Sequence, residues 1–453
     1  GRAAEGVRAF LASSRMEADE AQAVAEYSNA LFALNYVAEE ERAPFAGLAE
    51  GFNGFFSHVE RMAHTRVQHA HARLRIGYIS PDLRHHAVAF FLLPLLRAFD
   101  RERFEVFCYA NNSEDAVSRT MAQQLGVHWR SILGLLPEEA ARLVAADEVD
   151  ILCDLSGHTK DNCLAVLARK PAPVQVTGLG YMGSTGLSTI DYLLGDRVLD
   201  AAEEAEMAAE RTAGGSCRGA AEDGASQDAR KERSERPLSL PHSHFCYLPF
   251  VAMPEVAPPP CLSRGYVTFG CFNNYSKVTD AMLLLWRQIL ADVPGARLLL
   301  KSRLFGSEEG RSIAVERFGR LGLDASRIEL RGFSSDYLAE YADMDIALDT
   351  SPYTGGLTTC EALYMGVPVI TKAGGTHGSR FSTSILENAG LSQLVARGDM
   401  EYVRKAVELA DSPDILRRLH RDLRARMETS PLMDAKGYMK DLEDIYREIA
   451  EDV

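Results

Sequence analysis

Twice along this chain, short apolar runs alternate with helix-length amphipathic stretches, and few folds accommodate that alternation. The first set is Leu74-Arg-Ile-Gly-Tyr-Ile79, Phe104-Glu-Val-Phe-Cys-Tyr109, Val149-Asp-Ile-Leu152, Val174-Gln-Val-Thr177 and Tyr192-Leu-Leu194. The second is Tyr266-Val-Thr-Phe269, Arg297-Leu-Leu-Leu300, Ile328-Glu-Leu330, Ile346-Ala-Leu348 and Val367-Pro-Val-Ile370. Strand-length runs separated by helices predict parallel sheets covered on both faces. The expected class is α/β, with two doubly wound, Rossmann-like domains. Residues 1–71 show helical spacing instead (Val7, Phe10, Leu11, then Val24, Tyr27, Leu31, Leu34) and read as a helical preface.

The Pro-rich run Pro254-Glu-Val-Ala-Pro-Pro-Pro260 reads as a stiff linker, dividing a first domain at 72–253 from a second at 254–453. The last stretch, Glu401 to Val453, reads as helices that cap or bridge the two. Residues 201–236 are almost wholly Ala, Gly, Ser and charged, so they are expected to form a disordered surface insertion.

Composition narrows the functions. Lys plus Arg number 49 against 64 Asp plus Glu, a net charge of −15, which opposes non-specific binding to nucleic acid or to an anionic membrane. Any phosphate must be held locally. No run of 18 apolar residues occurs, so no membrane span is expected. The eight cysteines are dispersed without a CxxC pair, which predicts a reducing, cytoplasmic setting and no disulfide framework. The first residue is Gly rather than Met, so the chain is expected to be a piece of something longer.

Several motifs carry possible chemistry. Gly178-Leu-Gly-Tyr-Met-Gly183 is a literal GxGxxG after a strand, with Asp196 at the distance of a ribose-binding acid. A dinucleotide site also needs a helix opening at the last glycines. Only Ser184 to Ile190 follows, so the NAD reading is disfavoured. Asp343-Met-Asp345 is a literal DxD that could chelate a divalent ion, but it directly precedes a buried run and reads as a helix-to-strand junction. No His or Cys spacing suggests zinc, and no metal is expected.

The strongest constellation is Asp349-Thr-Ser-Pro-Tyr-Thr-Gly-Gly-Leu-Thr-Thr-Cys-Glu-Ala-Leu-Tyr-Met-Gly366. It reads as a strand end, a turn at Gly355 and Gly356, and a helix opened by Thr358 and Thr359. Unpaired amides and hydroxyls at a helix N-terminus bind anions, so a diphosphate fits here, with Glu361 able to accept hydrogen bonds from ribose hydroxyls. Lys277, in the loop after Phe269-Gly-Cys-Phe-Asn-Asn, stands where a lysine can neutralise a leaving phosphate. His85 and His86 follow the first strand and His158 the third. An imidazole at either place could orient an acceptor hydroxyl or take its proton, or simply hold structure.

At these residues the chain resembles the O-GlcNAc transferase and SPINDLY family of glycosyltransferases, over about residues 72–200 and 240–445. The likeness is carried by the loop ending at His86, Lys170-Pro-Ala-Pro-Val-Gln with Gly180-Tyr181-Met-Gly, the Phe-Asn-Asn loop to Lys277, the block from Leu348 to Gly366, and Ser430-Pro-Leu. It implies a two-domain glycosyltransferase-B fold and an inverting, metal-independent transfer of sugar from a nucleotide diphosphate to protein Ser or Thr, with no cofactor. His86 matches the family's active-site histidine, Lys277 its diphosphate-contacting lysine and Thr358 a phosphate-binding threonine. Asn274 stands where the transferase branch has a phosphate-contacting glutamine, Tyr337 where it has a base-stacking histidine, and Glu361 where it has a ribose-binding aspartate. Ser334, Gly356 and Thr359 are grouped with them on the nucleotide-sugar side, and His158, Gly180 and Tyr181 on the sugar or acceptor side.

Where the transferase branch has His-Thr-Thr, this chain has Gly356-Leu-Thr358, and its Thr-Thr-Cys-Glu pattern looks more like the plant SPINDLY branch, which uses GDP-fucose. UDP-GlcNAc is the expected donor and GDP-fucose the alternative. The family's tetratricopeptide array is missing or reduced to the helices of 1–71. Readings from other classes are an NAD-dependent oxidoreductase and a two-lobed protein that binds a nucleotide sugar without transferring it.

Overall fold

The computed structural model describes residues 2–65, 69–201 and 235–451, which form two compact units. The first comprises residues up to Leu248 together with Ala435 onward, and the second runs from Pro249 to Asp434.

The first unit is built on a seven-stranded parallel sheet: β1 (Leu74–Ser80), β2 (Phe104–Ala110), β3 (His128–Ser131), β4 (Ile151–Asp154), β5 (Val174–Thr177), β6 (Tyr192–Asp196) and β7 (Arg236–Leu240). Its order is β3-β2-β1-β4-β5-β6-β7, every pair parallel. The order reverses between β1 and β4, so the loops after these two strands open a crevice at the sheet's carboxyl end. Those loops carry His86 and His158.

The helical preface belongs to this unit. Helices Ala3–Met16 and Glu20–Leu34 pack on each other, and Leu31 and Phe52 join Ile79, Phe107, Leu152 and Leu164 in one buried cluster. The last helix, Ala435–Ala450, also packs here, against Ala87–Ala98. It therefore caps the first unit, whereas a place in the second domain was expected. The Tyr446 hydroxyl lies 3.1 Å from that of Tyr78 and 3.3 Å from Cys153 Sγ, all buried.

The second unit repeats the plan with β8 (Thr268–Cys271), β9 (Arg297–Lys301), β10 (Ile328–Arg331), β11 (Ile346–Leu348), β12 (Val369–Lys372) and β13 (Val395–Ala396), in the order β10-β9-β8-β11-β12-β13. The reversal falls between β8 and β11. The Pro-rich linker is tied to this unit: Arg424 Nη2 donates to the Pro254 carbonyl at 2.6 Å, and the His420 ring meets the Ala257 carbonyl.

The ten strands expected from the sequence are all present, with edges moved by up to two residues. β12 starts after Pro368, whose missing N–H cannot join the ladder. Three edge strands escaped sequence reading. β3 (HWRS) and β7 (RPLSL) lack a continuous apolar run, and β13 is two residues long; such features are usual at sheet edges. The expected insertion at 201–236 lies outside the described residues apart from its ends, where Glu235 is buried and Arg236 already opens β7. The seven described cysteines are free thiols, and burial pushes those of Cys108, Cys153 and Cys271 up to about 12. No helix among the described residues is long and apolar enough to cross a membrane.

Tyr446→Ala should lower the stability of the first unit by about 3–5 kcal/mol, as for other large buried aromatic deletions. Urea unfolding followed in that unit checks this, and an unchanged midpoint would show that the last helix contributes little there.

Candidate functional site

In the second unit the chain leaves β11 at Asp349, which is buried, and the turn that follows is wound around its carboxylate. Oδ1 accepts from the Asn273 side-chain amide (2.9 Å) and from the backbone N–H groups of Thr350 and Gly355 (2.8 Å each). Oδ2 accepts from the Thr371 hydroxyl on β12 at 2.7 Å, and the Tyr402 hydroxyl donates to the Asp349 carbonyl at 2.8 Å. One side chain thus joins the loop after β8, the turn after β11 and strand β12. Gly355 sits inside this knot: a Cβ there would stand 2.3 Å from Thr359 Oγ1 and 2.9 Å from Thr358 Oγ1, too close for any other residue.

The turn delivers the chain into the helix Leu357–Tyr364, with Gly356 at its N-cap. Gly356 offers no capping side chain, so the first-turn amides are not closed by one. Thr358 donates its hydroxyl to Asn273 Oδ1, and Thr359 meets Ser382 Oγ at 2.8 Å. The two threonines therefore brace the helix end against its neighbours, while the amides and helix dipole confer a positive end.

Lys277 closes the other side of this corner. Its Nζ donates to the Thr354 carbonyl at 2.9 Å and lies 3.5 Å from the centre of the Tyr353 ring. Burial pulls its pKa down to about 8, and the nearby Asp349 carboxylate limits the fall. An arriving polyanion would raise it again. Asn274, exposed, spends its side-chain oxygen on the Ser276 amide and caps the short turn Tyr275–Lys277.

One helical turn on, Glu361 is buried and accepts the Tyr337 hydroxyl at Oε1, with Tyr341 3.5 Å from Oε2. Burial raises its pKa to about 7, against the two tyrosine hydroxyls that favour the carboxylate. Tyr337 is raised in turn, by burial and by the facing carboxyl. Ser334 accepts from the Asp336 amide at 3.2 Å and steadies the loop that carries Tyr337. The structure thus brings Lys277, Thr358, Thr359, Glu361 and Tyr337 around one switch point. Sequence reading missed Asn273, Tyr341, Thr371 and the central role of Asp349, whose one sequence signal is an acidic residue at a strand's carboxyl end.

The first unit has a matching knot. Asp154, ending β4, accepts from Ser156 N (3.1 Å), Ser156 Oγ (2.9 Å), Gly157 N (2.8 Å) and Thr177 Oγ1 on β5 (2.8 Å). His86, partly exposed, caps the helix Ala87–Ala98, its Nδ1 accepting from Val88 N at 3.4 Å with Asp82 Oδ1 3.6 Å away. Burial lowers its pKa, and Asp82 opposes that. A neutral ring accepting at Nδ1 carries its proton on Nε2, so it presents a donor.

His158 differs from the expectation of a substrate-facing residue. It is buried, Nδ1 meets Ser28 Oγ at 2.8 Å, Nε2 meets the Thr185 carbonyl at 2.9 Å, and burial lowers its pKa to about 3. Both nitrogens are committed, Nδ1 to the preface and Nε2 to the loop after β5. Tyr181 is buried beside it, with its hydroxyl near Asn35 and the Leu31 carbonyl. At Gly180 a Cβ would lie 1.8 Å from the Leu155 carbonyl oxygen, so this glycine serves close packing. No helix opens at Gly183, and Asp196 spends its oxygens on the amides of Val198, Leu199 and His244, so the dinucleotide fingerprint lacks its structural context. The DxD carboxylates are likewise occupied: Asp343 by Arg264 and Arg331, Asp345 by the Cys261 and Thr268 amides.

The sequence matches Glycosyl transferase family 41 over residues 56–214 and 261–442. It is 36% identical over 381 residues to a protein of Solanum lycopersicum named as a probable UDP-N-acetylglucosamine–peptide N-acetylglucosaminyltransferase SPINDLY, covering 83% of this chain and 38% of that one. The Arabidopsis thaliana protein of the same name is 35% identical over 428 residues, covering 92% and 44%. This chain therefore spans roughly two fifths of the length of these relatives. Among solved structures, a mutant O-GlcNAc transferase of Thermobaculum terrenum superposes with TM-score 0.85 at 32% identity, over 100% of this chain and 82% of that one.

The raised pKa of Glu361 has a sign. Its folded value of about 7 exceeds the ordinary 4.5, so its contribution is fully present below 4.5 and is lost as pH rises through 7. The loss amounts to roughly 3 kcal/mol at most. Glu361→Gln should remove that slope, as measured by unfolding of both proteins between pH 4.5 and 8; parallel profiles would refute the assignment.

Proposed function

Because the chain belongs to glycosyl transferase family 41, we propose that it is a protein O-glycosyltransferase that moves GlcNAc from UDP-GlcNAc to serine or threonine hydroxyls of proteins, with inversion and with no metal or cofactor in the reaction. The observation that carries this reading is the gathering of Lys277, the Thr358–Thr359 helix end and the Glu361–Tyr337 pair at one switch point of the second sheet. Those groups suit, in that order, a diphosphate, its neighbouring oxygens, and a ribose with its base.

In the proposed step the acceptor oxygen bonds to the anomeric carbon as the bond from that carbon to the diphosphate breaks, and the hydroxyl proton passes to the departing diphosphate. Charge grows on the departing phosphate, where Lys277 and the positive helix end stabilise it; donors aimed at developing charge act most strongly where water is excluded. Asn274 lies on the loop that carries Lys277, and Gly356 lets the phosphate approach the backbone. His86 is proposed to orient the sugar or acceptor through Nε2–H, in keeping with its engaged Nδ1. Free, buried cysteines support a reducing compartment, and the cytoplasm is the proposed location.

GDP-fucose remains a second reading. The chain is 36% identical to a SPINDLY relative and 28% identical to the Arabidopsis thaliana relative named SEC. It also carries the Thr-Thr-Cys-Glu pattern. A thermal-shift panel of UDP, GDP, UDP-GlcNAc and GDP-fucose separates the two: at 100 times its dissociation constant a true ligand stabilises by about 2.7 kcal/mol. Stabilisation by uridine compounds alone supports GlcNAc transfer, and stabilisation by guanosine compounds alone overturns it.

Lys277→Ala should lose at least about 100-fold in turnover, on the scale of removing one charge-stabilising donor, with its circular dichroism unchanged. Near wild-type turnover would remove Lys277 from the reaction. EDTA in the assay should leave the initial rate unchanged, and a loss restored by a divalent ion would contradict metal independence.

A further inference from the structure

His69, His71 and Asp150 lie at the opposite end of the first sheet from the loops that carry His86 and His158. The two histidines flank Ala70 and Asp150 lies 81 positions after His69, yet one ligand atom from each of the three falls within 4.8 Å of the other two. His69 Nδ1 is 2.9 Å from Asp150 Oδ1. Asp150 Oδ2 is already engaged by the Arg75 amide at 2.7 Å, which orients Oδ1 toward the imidazoles. Glu148 Oε2 lies 3.6 Å from His71 Nε2 and accepts from Arg75 Nη1 at 3.2 Å. His64 walls the group, with its ring centre 5.5 Å from that of His69 and its Nε2 2.8 Å from the Lys170 carbonyl.

We infer that these side chains form a binding site for a divalent first-row cation of the zinc class, with His69, His71 and Asp150 as ligands and a fourth position open toward Glu148. Two imidazoles and a carboxylate suit zinc, which takes four nitrogen and oxygen ligands at about 2.0–2.2 Å. The carboxylate has the backbone partner that metal-bound carboxylates commonly have. The His69 and Asp150 side chains are only 8% and 6% exposed, which favours retention, and His71 at 15% leaves the way in.

The cation would be structural. β4 begins immediately after Asp150 and spans four residues, or about 13 Å, ending at Asp154 ahead of the loop of His158. A bound ion would fasten the segment entering β1 to the turn entering β4, the two strands that flank the switch point. Without an ion, the same contacts would be a His69–Asp150 hydrogen bond and a separate His71–Glu148 contact.

The test uses the full chain, stripped with a chelator and titrated with Zn2+ alone. One zinc per chain is expected, with a rise in melting temperature and X-ray absorption showing nitrogen and oxygen neighbours without sulfur at about 2.3 Å. His69→Gln and His71→Gln should each weaken binding at least about 10-fold while the initial rate of sugar transfer is unchanged. Uptake no tighter than that of the His69→Gln/His71→Gln chain, or a sulfur-ligated ion, would overturn the inference. Circular dichroism of the metal-free variants controls for folding, and if any variant misfolds, the absorption spectrum of the unaltered chain decides.

Discussion

Each unit depends on a buried aspartate that ends the strand beside the sheet's point of reversal. Asp349 and Asp154 do the same work in separate sheets: the carboxylate takes amide protons from the turn that follows and a threonine hydroxyl from the next strand outward, Thr371 or Thr177. Hydrogen bonds to a charged acceptor contribute about 1.5–3 kcal/mol each and are costly to leave unmade when buried. The turn is thereby held in one conformation, and whatever lines the crevice inherits that rigidity.

The two knots serve different ends. Around Asp349 the ordered turn exposes a helix terminus, positions Lys277 and leaves Glu361 a short distance along the helix, all polar and only partly satisfied by one another. Around Asp154 the ordered turn is covered: Gly157 is packed beneath Tyr181, Gly180 lies against the Leu155 carbonyl, and His158 has no nitrogen left for a ligand. The reactive candidate of the first unit is instead His86, whose capping bond and partial exposure leave one nitrogen to face outward. The same topology has thus been filled once as a binding corner and once as a support.

Much of this was legible in the chain. Central strands announce themselves because burial on both faces demands apolar runs, and all nine of these were readable, as was the edge strand β10. Edge strands such as β3 and β7 are half-solvated, so their composition resembles that of loops. Lys277, Thr358 and Glu361 were legible because strand-end loops and helix starts are marked by local sequence, and the family resemblance reached the same residues. Asn273, Thr371 and Tyr402 were not, since nothing within a few residues of any of them indicates that it converges on Asp349. Which of its two readings His158 takes was hidden for a related reason: its neighbours in sequence suggest a crevice, whereas Ser28, 130 positions earlier, engages its ring.

By itself the sequence determined the class of fold, the division into two parallel sheets and the loops in which chemistry could lie, because periodicity and local turn chemistry are properties of short segments. Only the tertiary structure decided that the preface and the last helix belong to the first unit, that Tyr337 meets Glu361, and that His69, His71 and Asp150 converge. Those outcomes depend on contacts between segments far apart in the chain, and whether a polar group is spent on the fold or left for a ligand is settled by burial and partners that no local pattern records.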